Sequence, residues 1–255
     1  MRILLTNDDG VHSPGLAALE RVAASLSSDI WVVAPESDQS GLAHSLTLND
    51  PLRLRQLGPR KFAVSGTPTD CVIMAVRQIA ADKAPDLVLA GINAGENVAD
   101  DVTYSGTIAG AIEGTLLGIP SIALSQAFDR DLRGARETVR WETAEHHAPG
   151  VIRALLDFGF GEGQFFSVNF PDVPPEAAGK PVVTVQGRLT HGLFVQERAD
   201  GRGRPYYWLG YTRRRLDKSV GTDLTAVDNG QISITPLRLD MTDHGTAERL
   251  RARLR

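Results

Sequence analysis

The chain has 255 residues and a single cysteine, Cys71, so no disulfide can form within it and a Cys-rich zinc centre is excluded. Nowhere do about 18 consecutive apolar residues occur, the length a membrane-spanning helix requires. The first residues read directly as a strand, with no basic leader and apolar segment before them, so the expected compartment is the cytoplasm. Charge of one sign is also scarce: 27 Lys and Arg against 31 Asp and Glu leave a formal charge of -4, which argues against a global attraction to nucleic acid. Neither a stable nucleic-acid complex nor a membrane partner is expected. Two phosphate signatures are missing as well, the Walker Gly-x-x-x-x-Gly-Lys-Ser/Thr loop and the dinucleotide Gly-x-Gly-x-x-Gly turn.

With 42% hydrophobic and 23% charged residues, the composition is that of a globular protein able to bury a substantial core, read here as one domain over residues 1–255. Ile3, Leu4 and Leu5 form a short apolar run of the kind that becomes a strand buried on both faces of a parallel sheet. Asn7, Asp8, Asp9 and Gly10 follow at once, placing two adjacent carboxylates at the strand's carboxyl end, where open α/β sheets bind ligands. Like charges side by side repel unless a cation or hydrogen bonds offset them, so Asp8 and Asp9 read as half of a site for a hard divalent metal. The same four residues are also ordinary turn chemistry.

Ser13 and Pro14 then open a helix with Leu16, Leu19, Val22, Ala23 and Leu26 at helical spacing, and residues 30–34 (IWVVA) form a second strand. This β-α-β order predicts a parallel pair. Residues 34–48 make a loop rich in small polar residues, in which Ser40 and Gly41 can come round beside the aspartates. A plain surface loop is the bland alternative, and His44 is read as a loop or interface histidine. A hairpin is expected over 52–65. Residues 66–79 read as a turn and amphipathic helix in which Cys71 is buried and unreactive.

After a strand at 87–90, residues 91–118 (GINAGENVADDVTYSGTIAGAIEGTLLG) carry the densest chemistry. Asn93 offers a side-chain oxygen to an oxygen-rich metal shell, and Asn97 offers hydrogen-bond donors. Ser105, Gly106 and Thr107 start a helix whose free N–H groups, two hydroxyls and positive dipole end suit an anion, although such residues cap helices without any ligand too. Strands follow at 119–124 and 165–170, separated by a helical pattern over 133–157 that Pro149 and Gly150 should bend or interrupt. Beyond residue 180 helices are no longer interleaved. Residues 181–186, 192–196 and 206–209 read as antiparallel strands or an extended hairpin, Arg202, Arg204 and Arg213 to Arg215 as its solvated charge, and Asp223 and Asp228 as turn residues. The division is a catalytic core over 1–180, an extended arm over about 181–236 and a helical segment over 237–255.

Taken together, TNDDGVHSPG, APESDQSG, GTPTDCV, GINAGENVADDVTYSGT, YYWLG, GTD and SITPL, in this order and spacing, resemble the SurE family of metal-dependent nucleotide phosphatases. The resemblance implies a Rossmann-like, mostly parallel α/β sheet with helices on both faces and a carboxyl-terminal arm exchanged between subunits, hence a homodimer or a homotetramer built from it. It implies one divalent cation per subunit, Mg2+ or Mn2+, held by Asp8, Asp9, Ser40 and Asn93, with Asn97, Ser105, Gly106 and Thr107 facing the phosphate. The expected reaction is hydrolysis of nucleoside 5′- and 3′-monophosphates, with Asp8 orienting or deprotonating the attacking water and Asn97 assisting. The alternatives are a nucleotide sensor without turnover, a broader phosphomonoesterase or exopolyphosphatase, and, least favoured, an NAD-dependent oxidoreductase.

Overall fold

A computed structural model describes residues 1–128, 139–214 and 219–254, the side chains of 190–193 and 211–214 excepted. The expected helical residues 133–138, Arg215, and the side chains of Arg213 and Arg214 lie outside this description.

Strand β1 (Arg2–Thr6) is buried along its whole length. Helix α1 (Pro14–Ala24) begins where Ser13 caps it by accepting a hydrogen bond from the Leu16 N–H, with Pro14 in the first helical position. Strand β2 (Asp29–Pro35) returns parallel to β1. The hairpin of β3 (Leu54–Gly58) and β4 (Lys61–Val64) adds to the same edge, β4 parallel to β2. Helix α2 (Pro68–Met74) carries a capping box between Thr67 and Asp70 and runs on into a π-helical turn, Ala75–Ile79.

Strand β5 (Leu87–Ala94) lies on the other side of β1, also parallel. It is followed by a 3-10 turn (Ala99–Thr103), helix α3 (Gly106–Leu116) and strand β6 (Ser121–Gln126). Helix α4 (Trp141–Phe158) and strand β7 (Gln164–Phe170) complete the parallel part. Because β1 is covered on both faces, its side chains alternate between two cores. Ile3 and Leu5 pack with Leu16 and Leu19 of α1 and Ala148 and Ile152 of α4. Leu4 packs with Cys71 and Val72 of α2. Burial pushes the Cys71 thiol pKa well up, which leaves it a packing residue.

Three expectations need correction. Helix α4 is not interrupted at Pro149: it runs unbroken through it, and its apolar stripe of Ala144, Ala148, Val151, Ile152 and Leu155 is buried as one face. Residues 181–186 are not an antiparallel arm strand. Strand β8 (Gly179–Val183) instead pairs in parallel with β11 (Gln231–Arg238), and β11 pairs antiparallel with β7, so both belong to a nine-stranded sheet of order β3-β4-β2-β1-β5-β6-β7-β11-β8. Only β9 (Thr190–Ala199) and β10 (Pro205–Arg214) stand apart among the described residues, as a two-stranded ribbon in which Ala199 faces Pro205. Asp223 and Asp228 are not turn residues either; they bound helix α5 (Asp223–Asp228), capped by Thr222. The chain ends in helix α6 (His244–Arg253), which buries none of its residues within the chain.

Asp223 is the joint between the ribbon's base and the core. Buried, with its pKa raised chiefly by desolvation, it accepts hydrogen bonds from the N–H groups of Ala99 and Gly187 at 2.8 Å each. Replacing it with alanine strands both donors, each worth about 1–3 kcal/mol. The Asp223→Ala protein should therefore lose roughly 2–6 kcal/mol in urea unfolding, and a loss below about 0.5 kcal/mol, the range of a neutral surface change, would contradict this role.

Candidate metal and phosphate site

The parallel register fixes which loops meet. Thr6 at the end of β1 lies opposite Ala90 in β5, so residues 7–10 and 93–97 emerge from the same edge of the sheet. Asn7 shapes the first loop from within: its Nδ2 donates to the Gly10 carbonyl at 3.0 Å and to Ser13 Oγ at 2.7 Å, tying the turn to the cap of α1. The chain after β2 is held against it by two backbone bonds, Gln39 N–H to the Asp8 carbonyl and Val11 N–H to the Pro35 carbonyl, both 2.8 Å. Gly10, at φ 100°, lets this happen, since a Cβ there would sit 3.3 Å from the Ser37 backbone.

Asp8 is buried, whereas Asp9 is half-buried. Asp8 Oδ1 accepts a hydrogen bond of 2.5 Å from Thr107 Oγ1, which is itself wholly buried in the first turn of α3. That contact requires the preceding residue to have no side chain: a Cβ on Gly106 would lie 2.7 Å from Asp8 Cβ. Ser105 caps the helix by accepting from the Ile108 N–H at 3.1 Å and keeps its own hydroxyl proton to donate. The amino terminus of α3, with its positive dipole end and unshared N–H groups, thus abuts the acid pair.

The remaining residues named from the sequence are placed as follows. Ser40 is exposed and directly follows Gln39, the residue bonded to Asp8; its N–H donates to Asp38 Oδ1 at 2.8 Å. Asn93 directly precedes Ala94, whose N–H approaches Asp9 Oδ2 at 3.4 Å. Because Asn93 Nδ2 donates to the Gly95 carbonyl at 2.7 Å, its amide oxygen is the atom left to act as a ligand. Asn97 is buried in a network that sequence reasoning missed: its N–H donates to Asn169 Oδ1 at 2.8 Å and its Nδ2 to Ser125 Oγ at 2.9 Å. Ser125 and Asn169 are register partners near the carboxyl ends of β6 and β7, a position that marks them only once strand order is known. The Thr107 hydroxyl gives its proton to Asp8, a contact between residues 99 apart in the chain.

Does a divalent cation suit these groups? Burial, then the charge of Asp9, and to a smaller extent that of Asp38, push the Asp8 carboxyl up to about 6, with hydrogen bonds from Thr107 and the backbone acting in the other direction. No cationic side chain among the described residues contributes to that balance. Among the described residues no group of three or more His, Cys, Asp or Glu could hold a metal. A cation here would rest on the two carboxylates completed by neutral oxygens such as Ser40 Oγ and Asn93 Oδ1, a donor set that matches Mg2+ or Mn2+ and not zinc.

The raised pKa has a sign that can be checked. Between the ordinary value of 3.8 and about 6 the folded protein holds a proton on Asp8 that the unfolded chain releases, so stability falls as pH rises through this window. In chelator at pH 8 the ionised group costs on the order of 3 kcal/mol. Asp8→Asn should therefore melt above the wild type in chelator at pH 8, with the gap closing towards pH 5, and should gain less than the wild type when Mn2+ is added. Equal melting temperatures at pH 8, or a gap that ignores pH, would remove the buried-charge argument.

Comparison with known proteins agrees with this geometry. Residues 3–192 match the family model described as Survival protein SurE. The chain is 58% identical to the 5′-nucleotidase SurE of Rhodopseudomonas palustris (strain BisA53), with 100% of both chains covered. It is 57% identical to that of Methylocella silvestris, covering 98% of each. Among solved structures, that of the SurE protein from Aquifex aeolicus superposes with a TM-score of 0.84 at 38% identity and covers 100% of both chains. A family model spanning most of the sheet, relatives matched end to end and a shared fold lead to one conclusion: this chain belongs to the SurE family.

Proposed function

We propose that the protein is a divalent-metal-dependent 5′-nucleotidase, hydrolysing nucleoside 5′- and 3′-monophosphates to nucleoside and inorganic phosphate. The single observation that carries this reading is the seating of the α3 amino terminus on Asp8 through Thr107 and Gly106. An anion-binding helix end and a pair of carboxylates repel different partners, and a metal phosphate satisfies both. The relatives named 5′-nucleotidase SurE, matched over their whole length, support the nucleotide as the ester.

In this reading Asp8, Asp9, Ser40 and Asn93 hold one Mg2+ or Mn2+. The cation supplies neutralisation of phosphoryl charge and a more acidic water. Backbone N–H groups of Gly106 and Thr107 and the hydroxyl of Ser105 bind phosphoryl oxygens, stabilising charge that shifts towards the leaving oxygen. Asn97, with one amide proton committed to Ser125, offers the other. Thr107 Oγ1 keeps Asp8 oriented as the group that positions the attacking water and takes its proton. A sensor that only binds nucleotides would share the same crevice; turnover is what separates the two.

Phosphate release from 5′-AMP should require added Mg2+ or Mn2+, stop in chelator and return on readdition. Asp8→Asn should lose roughly 10²- to 10⁴-fold in kcat at an unchanged circular dichroism spectrum. Binding of AMP without phosphate release by the metal-loaded wild type would favour the sensor.

We further propose a homodimer formed by exchange of the β9–β10 ribbon, two of which can pair into a tetramer, and a cytoplasmic setting. No helix among the described residues is long and apolar enough to cross a membrane. The ribbon exposes Val195, Tyr207, Trp208 and Leu209 on a two-stranded sheet that has no third strand among the described residues. Sedimentation of the full chain at micromolar concentration should give twice or four times the monomer mass; a monomer would end this part of the proposal.

A further inference from the structure

A cleft of about 470 Å³ opens beside Asp9, on the side of the acid pair where α1 and α4 begin, and is lined by His12, Ser13, Pro14, Gly15, Glu36 and Trp141 in addition to Asp9 and Ala94. Trp141 heads α4 and is half-buried. It reaches this position because Gly15 has no side chain: a Cβ there would lie 2.9 Å from Trp141 Cη2 and 2.0 Å from the Ile92 carbonyl oxygen. Glu36 stands at the rim, its Oε1 held by Arg55 at 2.9 Å, which leaves Oε2 as an acceptor. The Trp141 indole N–H makes no hydrogen bond with the described residues, whereas that of Trp31 donates to Asp29. A large aromatic ring left partly uncovered, with a donor unshared among the described residues, at the mouth of a cleft is the arrangement of a ligand platform.

Position decides which part of a substrate belongs here. With the phosphate at the α3 terminus, what extends past Asp9 into this cleft is the uncharged part of the substrate, and Glu36 Oε2 offers its N–H groups an acceptor. We propose that this cleft is the nucleobase subsite, with the base stacked on Trp141 and its amino or ring N–H groups directed to Glu36, and the ribose passing over Asp9 towards the α3 terminus. The proposal rests on the 5′-nucleotidase reading and adds to it the residues that distinguish a nucleotide from any other phosphate ester. A larger cleft of about 800 Å³ near Ser105 is a poorer candidate, since of its two aromatic rings Phe165 is 2% exposed and the His44 imidazole is tied to Glu113 at 3.0 Å.

The test compares two esters on the Mn2+-loaded full chain: 5′-AMP and ribose 5-phosphate, which is the same phosphate ester without a base. The wild type should show a higher kcat/KM for AMP. Trp141→Ala should lower the ratio of the two kcat/KM values about 5- to 100-fold, mostly through KM for AMP, as expected for loss of one base–aromatic stack. Trp141→Phe should keep most of the ratio, and Trp141→Leu, which fills the space without a π face, should lose it. Activity on ribose 5-phosphate reports on folding of each variant. A ratio that stays within about twofold of wild type in the Ala and Leu variants, or a wild type with no preference for AMP, overturns the subsite. A wild type inactive on both esters instead fails the nucleotidase reading itself.

Discussion

Everything at the carboxyl edge of this sheet is arranged around one short hydrogen bond, from Thr107 in the first turn of α3 to the buried carboxylate of Asp8 at the end of β1. It links two elements 99 residues apart in the chain and sets the distance between a source of negative charge and a helix terminus that attracts it. The bond exists only because the backbone at Gly106 can lie against Asp8, which makes the glycine a packing requirement and not a matter of helix propensity. The same device recurs on the other side of the acid pair. Gly15 lets the start of α1 close on the Ile92 carbonyl and on Trp141, so both flanks of the site are built where a helix beginning lacks a side chain.

The energetic consequence is a site that opposes folding. A buried carboxylate beside a second one, with no cationic side chain among the described residues offsetting it, is stabilised only in part by Thr107 and the backbone. Such a group lowers the stability of the free protein and raises its affinity for a cation by the same interaction, because the repulsion that a metal relieves is already present before it binds. The neighbouring cores must supply the difference. Strand β1 is well placed to transmit it, since it is central, buried on both faces, and alternates Ile3 and Leu5 towards one helical layer and Leu4 towards the other.

Much of this is legible from residue order alone. The apolar run of Ile3 to Leu5 followed by two aspartates is enough to place a strand and a charged loop at its end, and the Ser13–Pro14 start of α1 is a local signal that the structure uses as written. What escapes a reading of the sequence depends on contacts between distant segments. The partner of Thr107 is decided by the approach of α3 to β1, and the clamp on Asn97 by the adjacency of β6 and β7. The extent of the ribbon is hidden for the same reason. Residues 181–186 read as a strand, but their partner and direction are decided by β11, about 50 residues later, which offers residues 179–183 an edge in parallel.

The direction of the sheet connects these features to specificity. In a parallel sheet every strand end at one edge carries a loop, and each loop contributes from a different depth. Here the β1 loop supplies acid, the β5 loop neutral oxygens and amides, and the start of α3 a positive terminus, all of which address charge. None of them addresses the uncharged part of a substrate. Recognition of that part falls to whatever borders the acidic side of the pair, and among the described residues the half-open aromatic ring lining the cleft at Asp9 is Trp141, presented by the first residue of α4 across the bare backbone of Gly15. Phosphate chemistry and recognition of the leaving group would then be divided between the two flanks of one carboxylate pair, with α3 on one side and the junction of α1 and α4 on the other.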